Sequence, residues 1–302
     1  MTTYRELTNQ SYELETKITE KLGIDFSGSR YKEYQSVVEA LTIAWENKET
    51  ATYIKKYPFT TTVFSLRELQ ELAFILDFIQ TRYDRLSEES KNQITKKLKI
   101  IIRGPLLPSG EDANTNESRN YQFELRVAAK MAEAKFGVEL NEHPDVLTTT
   151  RGHDYAIECK RVTGESKNAT TRNVLNAIQQ LGIYSRRRFG RIVAIDVSKL
   201  IDLQEAQTSC ETGKEANDYI LDLLHKRIND TYGNNEAISG LATKNKVVAL
   251  MFTYSGLYIL NNHDMGWVQE IGFMVFNKEH PNKAKVCLKD FDNLKPSETM
   301  TG

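Results

Sequence analysis

The chain has 302 residues, a formal net charge of −1, 27% charged residues and 40% hydrophobic residues. This balance excludes an intrinsically disordered chain and a broadly basic protein, and the length suffices for two domains or one large one. A nucleic-acid partner would therefore have to be held by a local basic patch.

Three cysteines, Cys159, Cys210 and Cys287, lie far apart in the sequence. Their odd number and wide spacing disfavour a disulfide framework, a structural zinc site and an iron–sulfur cluster, and suit a reducing cytoplasm. The first residues lack the apolar core of a signal peptide, and no apolar run approaches the roughly 20 residues of a membrane span. We therefore expect a cytoplasmic protein with no membrane association.

The first hundred residues are predicted to be helical, because apolar residues recur there at helical spacing. The predicted helices span Tyr4–Leu22, Tyr31–Trp45, a segment that starts after Ser65, and about Glu88–Ile102. Ser65 is the expected N-cap of the third helix, since Glu68 follows three residues later as in a capping box. No group of residues in these helices has the pattern of a catalytic or metal-binding site. We interpret residues 1–105 as a helical domain for substrate or partner recognition.

Residues 103–120 form the best candidate for a domain boundary. They combine two prolines, two glycines and a polar tract without periodicity. A second domain is therefore expected at 106–302. Its first helix is predicted at Tyr121–Phe136, with Glu124 on the flank of the apolar face. The carboxylate of Glu124 could reach the edge of a sheet packed against this helix and act there. The pattern fits equally well a glutamate that is exposed to solvent and has no such role.

A short strand at Val138–Leu140 is predicted to lead into a β-hairpin between Pro144 and Arg161 (PDVLTTTRGHDYAIECKR). Two runs rich in β-branched and apolar residues, Asp145–Thr150 and Tyr155–Lys160, flank a polar turn at residues 151–153. Counting outward from the turn places Asp145 opposite Glu158. Opposed residues have Cβ atoms about 4.5–5.5 Å apart and point to the same face.

Lys160 shares this face, because alternate residues of a strand point the same way. The carboxylates of Asp145 and Glu158 and the ammonium of Lys160 are therefore expected to lie close together. Carboxylate oxygens are suitable ligands for a divalent metal ion, and a nearby ammonium can assist its chemistry. Asp154 is the alternative acidic ligand if the register is shifted. It lies on the same strand as Glu158, about 13 Å away, which is too far for one ion to bridge. The alternation of Ala156-Ile157 and Cys159 with the charges predicts that the other face is buried.

A helix at about Thr171–Arg188 follows the hairpin, and Gln180 and Tyr184 lie one turn apart on it. The strongest basic patch of the chain is at its end and comprises Arg186, Arg187, Arg188 and Arg191, while Lys160-Arg161 ends the second hairpin strand. Cations near a helix C-terminus also interact favourably with its dipole. Phosphate binding is nevertheless the preferred interpretation of this patch.

The remaining residues are predicted to complete a sheet. The expected strands are Arg191–Val197, Lys246–Thr253, Gly256–Leu260, Ile271–Phe276 and Ala284–Leu288, with a helix at about Glu215–Tyr232. The predicted fold class is α/β, with a mixed central sheet flanked by helices and an all-helical N-terminal region.

The order helix, strand, hairpin, helix, strand makes the segment Glu124–Val197 resemble the PD-(D/E)xK nuclease superfamily, or restriction-endonuclease-like fold. Pro144-Asp145 matches the PD element and Glu158-Cys159-Lys160 the (D/E)xK element, with twelve residues between the two acids. Glu124 falls where many members carry an acidic residue on the preceding helix. Residues 180–184 (QLGIY) resemble the QxxxY motif of the RecB-type branch. The resemblance covers about a quarter of the chain.

This resemblance implies a restriction-endonuclease-like core and metal-dependent hydrolysis of phosphodiester bonds in DNA, as in restriction or phage-defence effectors. Asp145, Glu158 and Glu124 would hold Mg²⁺ or Mn²⁺. Lys160 would position or help to deprotonate the attacking water, and Gln180 would orient the lysine or a phosphate oxygen. The expected nucleic-acid contacts are Tyr184, Arg161, Arg186, Arg187, Arg188 and Arg191.

Several alternatives stay open. RNA is a second substrate class, and a homodimer or a protein partner is compatible with the resemblance. A different class of function is a nucleic-acid-binding or assembly subunit with a nuclease-like fold and little activity. The presence of both acids and the lysine favours the active enzyme.

Overall fold

The computed structural model describes residues 3–107, 116–162, 167–184, 190–233, 235–261, 265–276 and 281–294. The chain divides into two compact units, with the boundary between Ala129 and Lys130. The second unit contains a mixed sheet flanked by helices, so the chain belongs to the α/β class as predicted. None of the helices described in these ranges combines the length and the apolarity that a membrane span requires.

The first unit is built from helices. They are α1 (Tyr4–Leu22), α2 (Arg30–Glu46), α3 (Thr50–Lys56), α4 (Phe59–Arg82), α5 (Glu88–Ile101) and most of α6 (Glu117–Glu133). The predicted bounds of α1 are confirmed. Thr3 and Glu6 form a capping box at its start, and Gly23 ends it in the left-handed conformation that favours glycine.

The predicted start of the third helix is wrong, because α4 begins at Phe59, directly after Pro58. Ser65 lies buried inside this helix instead of capping it. The Ser-x-x-Glu pattern is not unique to helix starts, and here both Ser65 and Glu68 face the core. The short helix α3 was not predicted.

Buried ion pairs join α6 to α4. Arg119 pairs with Glu68 and Arg126 pairs with Glu71, while the amide of Gln122 donates to both carboxylates. These contacts attach the first turns of α6 to the helical unit. The boundary between the units therefore lies within α6, whereas the sequence predicts it at 105/106.

The sheet of the second unit has the strand order β1-β2-β3-β4-β5-β6. The strands are β1 (Gly137–Leu140), β2 (Val146–Thr150), β3 (His153–Arg161), β4 (Gly190–Asp196), β5 (Val247–Ile259) and β6 (Met265–Val275). Strands β1, β2 and β3 form an antiparallel meander, and β3, β4 and β5 are parallel. Strand β6 is antiparallel to β5.

Helices cover both faces of this sheet. They are α7 (Lys167–Ile183), α8 (Leu203–Ala206), α9 (Gly213–Ile228), α10 (Glu236–Lys244) and α11 (Pro281–Asp290). One face packs against α7, α9 and α10 in a single apolar core. On the other face, the ring of Tyr155 lies 4.8 Å from that of Phe291, which follows α11.

Two predicted elements of the second unit are wrong. Residues 247–259 form one strand and not two, because Tyr254 and Ser255 pair with β6 and continue the ladder. Residues 284–288 lie in helix α11 and not in a strand. Ala284 and Cys287 are buried three residues apart, which is a helical spacing, and so short an apolar run fits either structure.

The buried carboxylate of Glu68 gives a prediction for stability. Burial raises the pKa of Glu68, but the charges of Arg119, Arg30 and Arg67 outweigh burial and lower the pKa to about 2. Removing one partner of a buried pair leaves an uncompensated charge, so Glu68→Gln should lower the free energy of unfolding by about 3–5 kcal/mol at neutral pH. Urea unfolding of the full chain measures this loss.

The pH dependence follows from the sign of the pKa shift. A carboxyl group with a lowered folded-state pKa contributes stability above its unfolded value of 4.5, and loses it as pH falls toward 2. The effect of Glu68→Gln should therefore shrink at about pH 3. Glu13→Gln, in an exposed pair with Lys17, is the control and should cost less than about 1 kcal/mol. Equal losses in the two variants would contradict this account.

Candidate functional site

The hairpin formed by β2 and β3 has the predicted register. Val146 pairs with Ile157, and the pairing continues without a shift to the turn. Asp145 immediately precedes β2, so the same register places it across from Glu158. The turn consists of Arg151 and Gly152, both with positive φ, as tight two-residue hairpin turns require. The hairpin register predicted from the sequence, with Asp145 opposite Glu158, is therefore confirmed.

Asp145, Glu158 and Lys160 come together at the end of this hairpin. The ammonium of Lys160 lies 2.9 Å from Oε1 of Glu158. Only 1% of the Glu158 surface and 7% of the Asp145 surface are exposed. The backbone N–H of Cys159 donates to Oδ2 of Asp145 at 2.7 Å, and so orients this carboxylate. No sequence signal reveals the Cys159 contact, because the donor is a backbone group.

Burial and neighbouring charges shift the pKa values of Glu158 and Lys160. Burial raises the pKa of Glu158 and the carboxylate of Asp145 raises it further, while Lys160 and His143 oppose the shift. Burial lowers the pKa of Lys160, but attraction to Glu158 and Asp145 outweighs burial, and the pKa lies above its ordinary value. Lys160 is therefore an ammonium ion at neutral pH, and the two carboxylates repel each other unless a cation lies between them.

Buried apolar side chains lie on both faces of strand β3 around this site. Glu158 and Lys160 lie beside Val193 and Ile195 of β4, on the face that packs against α7. Side chains of opposite parity, including Ile157 and Cys159, are buried on the other face, as predicted. Both faces of the strand are thus fixed by packing, which holds the two charged side chains in register.

The alternative ligand Asp154 lies near the hairpin turn. Its carboxylate accepts a hydrogen bond of 2.6 Å from Thr149, its cross-strand partner, at an exposed position. Since the register is not shifted, the condition that favoured Asp154 is not met. His153 also points elsewhere and contacts Asp290 of α11 at 2.8 Å.

Contacts with α11 hold the turn of the hairpin. The hydroxyl of Tyr155 donates to the same buried carboxylate oxygen of Asp290 that His153 contacts, at 2.5 Å. Arg151 donates to the carbonyl of Lys289. Sequence reasoning missed this anchor, because the two segments are more than a hundred residues apart.

Glu124 belongs to the first unit. Its carboxylate is buried and lies 2.5 Å from the ammonium of Lys97 on α5. The solvated alternative is therefore wrong for this residue. Its role as a third acidic ligand stays a prediction.

Four other predicted site residues, Gln180, Tyr184, Arg161 and Arg191, lie in the described part of the chain. Gln180 is exposed on α7. The guanidinium of Arg191 donates to the carbonyls of Tyr184 and Asn245, and the hydroxyl of Tyr184 is buried. Arg161 is partly buried, and its Nε lies 3.7 Å from Asp196.

Arg161 and Arg191 thus make contacts within the protein, and their nucleic-acid roles stay predictions. Arg186, Arg187 and Arg188 lie outside the described residues.

The acids at this site fit a magnesium ion or a manganese ion. Mg²⁺ is commonly held by one or two carboxylates, with water and substrate phosphates completing its shell. Asp145 and Glu158 supply such a pair. Within the described ranges, no group of three or more His, Cys, Asp or Glu side chains could hold a metal. An ion held by two carboxylates would have coordination positions left for water or a substrate phosphate.

Comparison of the chain with protein-family models, curated proteins and solved structures finds no match. The α/β class rests on the structure, and the likeness to nucleases rests on the residues quoted above.

The site geometry predicts which aspartate binds a metal. Asp145→Asn removes a ligand charge while its side-chain oxygen can still accept from Cys159, so the fold should be retained. We expect the affinity for Mn²⁺, measured by titration calorimetry, to fall about tenfold or more. Asp154→Asn is the matched control and should bind Mn²⁺ like the original chain. Loss of binding in the control alone would overturn the assignment.

Proposed function

We propose that this chain is a metal-dependent nuclease that hydrolyses phosphodiester bonds of DNA. The observation that carries the proposal is the buried pair of Asp145 and Glu158 with the ammonium of Lys160 at 2.9 Å from Glu158. Two carboxylates for a divalent ion and a cation beside them are the groups that phosphodiester hydrolysis needs.

The order of elements supports a restriction-endonuclease-like core. Helix α6 precedes the meander β1-β2-β3, and α7 then leads to β4, which is parallel to β3. This is the order of helix, strand, hairpin, helix and strand on which the resemblance rests. The two acids and the lysine lie at the end of the hairpin.

Each residue has a distinct role in the proposed reaction. A bound Mg²⁺ or Mn²⁺ would lower the pKa of a water molecule and neutralise charge on the scissile phosphate. Asp145 and Glu158 would hold that ion, and the N–H of Cys159 fixes the orientation of Asp145. Lys160 positions the attacking water and stabilises negative charge on the phosphate. Burial of Glu158 strengthens these interactions, because the local dielectric constant is low.

A second candidate function is a nucleic-acid-binding or assembly subunit with little activity. One observation favours it: Glu124, the predicted third acidic ligand, already pairs with Lys97. In that case the acids would bind a cation without turnover.

Cleavage assays distinguish the two candidates. Purified protein is incubated with plasmid, linear duplex, single-stranded DNA and RNA, with Mg²⁺, Mn²⁺ or EDTA. The nuclease proposal expects cleavage of DNA that requires the metal, and cleavage of RNA alone would change the substrate class. Cleavage that EDTA leaves unaffected, or no cleavage of any substrate by protein that binds Mn²⁺, would contradict the nuclease proposal.

The lysine gives a separate prediction. Lys160→Ala should lower the cleavage rate about 100-fold or more, because it removes the positive charge beside the reacting phosphate. Binding of Mn²⁺ should persist, since both carboxylates remain. Lys285→Ala, at an exposed position on α11, is the control and should cleave normally. A Lys160→Ala protein with the original rate would refute the proposed mechanism.

A further inference from the structure

The face of the sheet that carries Asp145 and Glu158 also carries Asn141, at the end of β1. Strands β1 and β2 pair in a register that sets Leu140 against Val146, and the next pair outward is Asn141 and Asp145. The backbone N–H of Asn141 donates to the carbonyl of Asp145 at 3.3 Å, so the pairing continues past the end of the strand. Opposed residues of an antiparallel pair point to the same face. Asn141 therefore lies beside Asp145 on the face of Glu158.

Burial of the neighbouring residues fixes this orientation. Leu140 and Val146 are paired with each other, and neither is exposed to solvent. Because alternate residues of a strand point to opposite faces, burial of this apolar pair on one face turns Asn141 and Asp145 to the other. Asn141 itself is partly buried. The packing that orients Asp145 thus orients Asn141 as well.

Asn141, Asp145 and Glu158 form a row across three neighbouring strands. Adjacent strands lie about 4.8 Å apart, so Asn141 and Glu158 flank Asp145 at similar distances on its two sides. Carboxylate and amide oxygens both suit Mg²⁺ and Mn²⁺. An ion held by Asp145 would therefore have an oxygen-bearing side chain on either side of it.

We propose that the side-chain oxygen of Asn141 is a third ligand of the divalent ion. This inference rests on the proposed function, because it assigns one more residue to the same metal. Glu124, the third ligand that the resemblance implies, is in a buried ion pair with Lys97. A third carboxylate would add to the repulsion between Asp145 and Glu158, whereas an amide oxygen supplies a ligand without adding charge.

Two substitutions at one position test the assignment. Asn141→Ala removes the oxygen, and the dissociation constant for Mn²⁺ should rise about tenfold. Asn141→Asp keeps an oxygen and adds a negative charge, so this variant should bind Mn²⁺ at least as tightly as the original chain. Glu139→Gln is the matched control. Glu139 is exposed two residues earlier on the same strand and face, and its substitution should leave the affinity unchanged.

Titration calorimetry of the full chain measures these constants, with Asp145→Asn in the same series. The original affinity in Asn141→Ala, or equal losses in both Asn141 variants, would overturn the role of Asn141. If Asn141→Ala fails to fold, weaker binding by Asn141→Asp would overturn it. In each case the proposed function stands as long as Asp145→Asn binds Mn²⁺ more weakly. A chain that binds no Mn²⁺, or an Asp145→Asn variant with the original affinity, would overturn both.

Discussion

The repulsion between Asp145 and Glu158 is the constraint on which the functional account depends. Two carboxylates are held together on a strand pair whose faces are both packed, and the carboxylate of Glu158 is almost completely buried. Such an arrangement is unfavourable unless positive charge is close. Lys160 supplies one positive charge, and a divalent cation would supply more. This repulsion is the physical argument for the metal ion in the proposed function.

The rest of the second unit keeps this pair in place. The turn of the hairpin is held by α11 through Asp290, and β3 is held between β2 and β4. A slip of one residue between β2 and β3 would place the two acids on opposite faces of the sheet, so the proposed site depends on this register. The first unit is organised differently, around buried ion pairs between α4 and α6.

Patterns of neighbouring residues predict the helix limits and the hairpin register, because both depend on interactions between residues close in the sequence. The limits of α1 follow from apolar spacing, and the hairpin register follows from counting outward equally from the turn. Long-range contacts could not be predicted in this way. The bonds of Asp290 to the turn, the N–H of Cys159 on Asp145, and the attachment of α6 to α4 each join groups whose sequence pattern carries no sign of the partner. The helix at 281–290 was mistaken for a strand because a short apolar run fits both periods.

The central claim is that Asp145 and Glu158 bind the same ion, and a double-mutant cycle tests it most directly. Affinity for Mn²⁺ is measured by calorimetry for the original chain, Asp145→Asn, Glu158→Gln and the double variant. If the two carboxylates share one ion, the losses should be non-additive, with a coupling energy of about 0.5–3 kcal/mol. Additive losses, or a separate ion for each acid, would contradict the account.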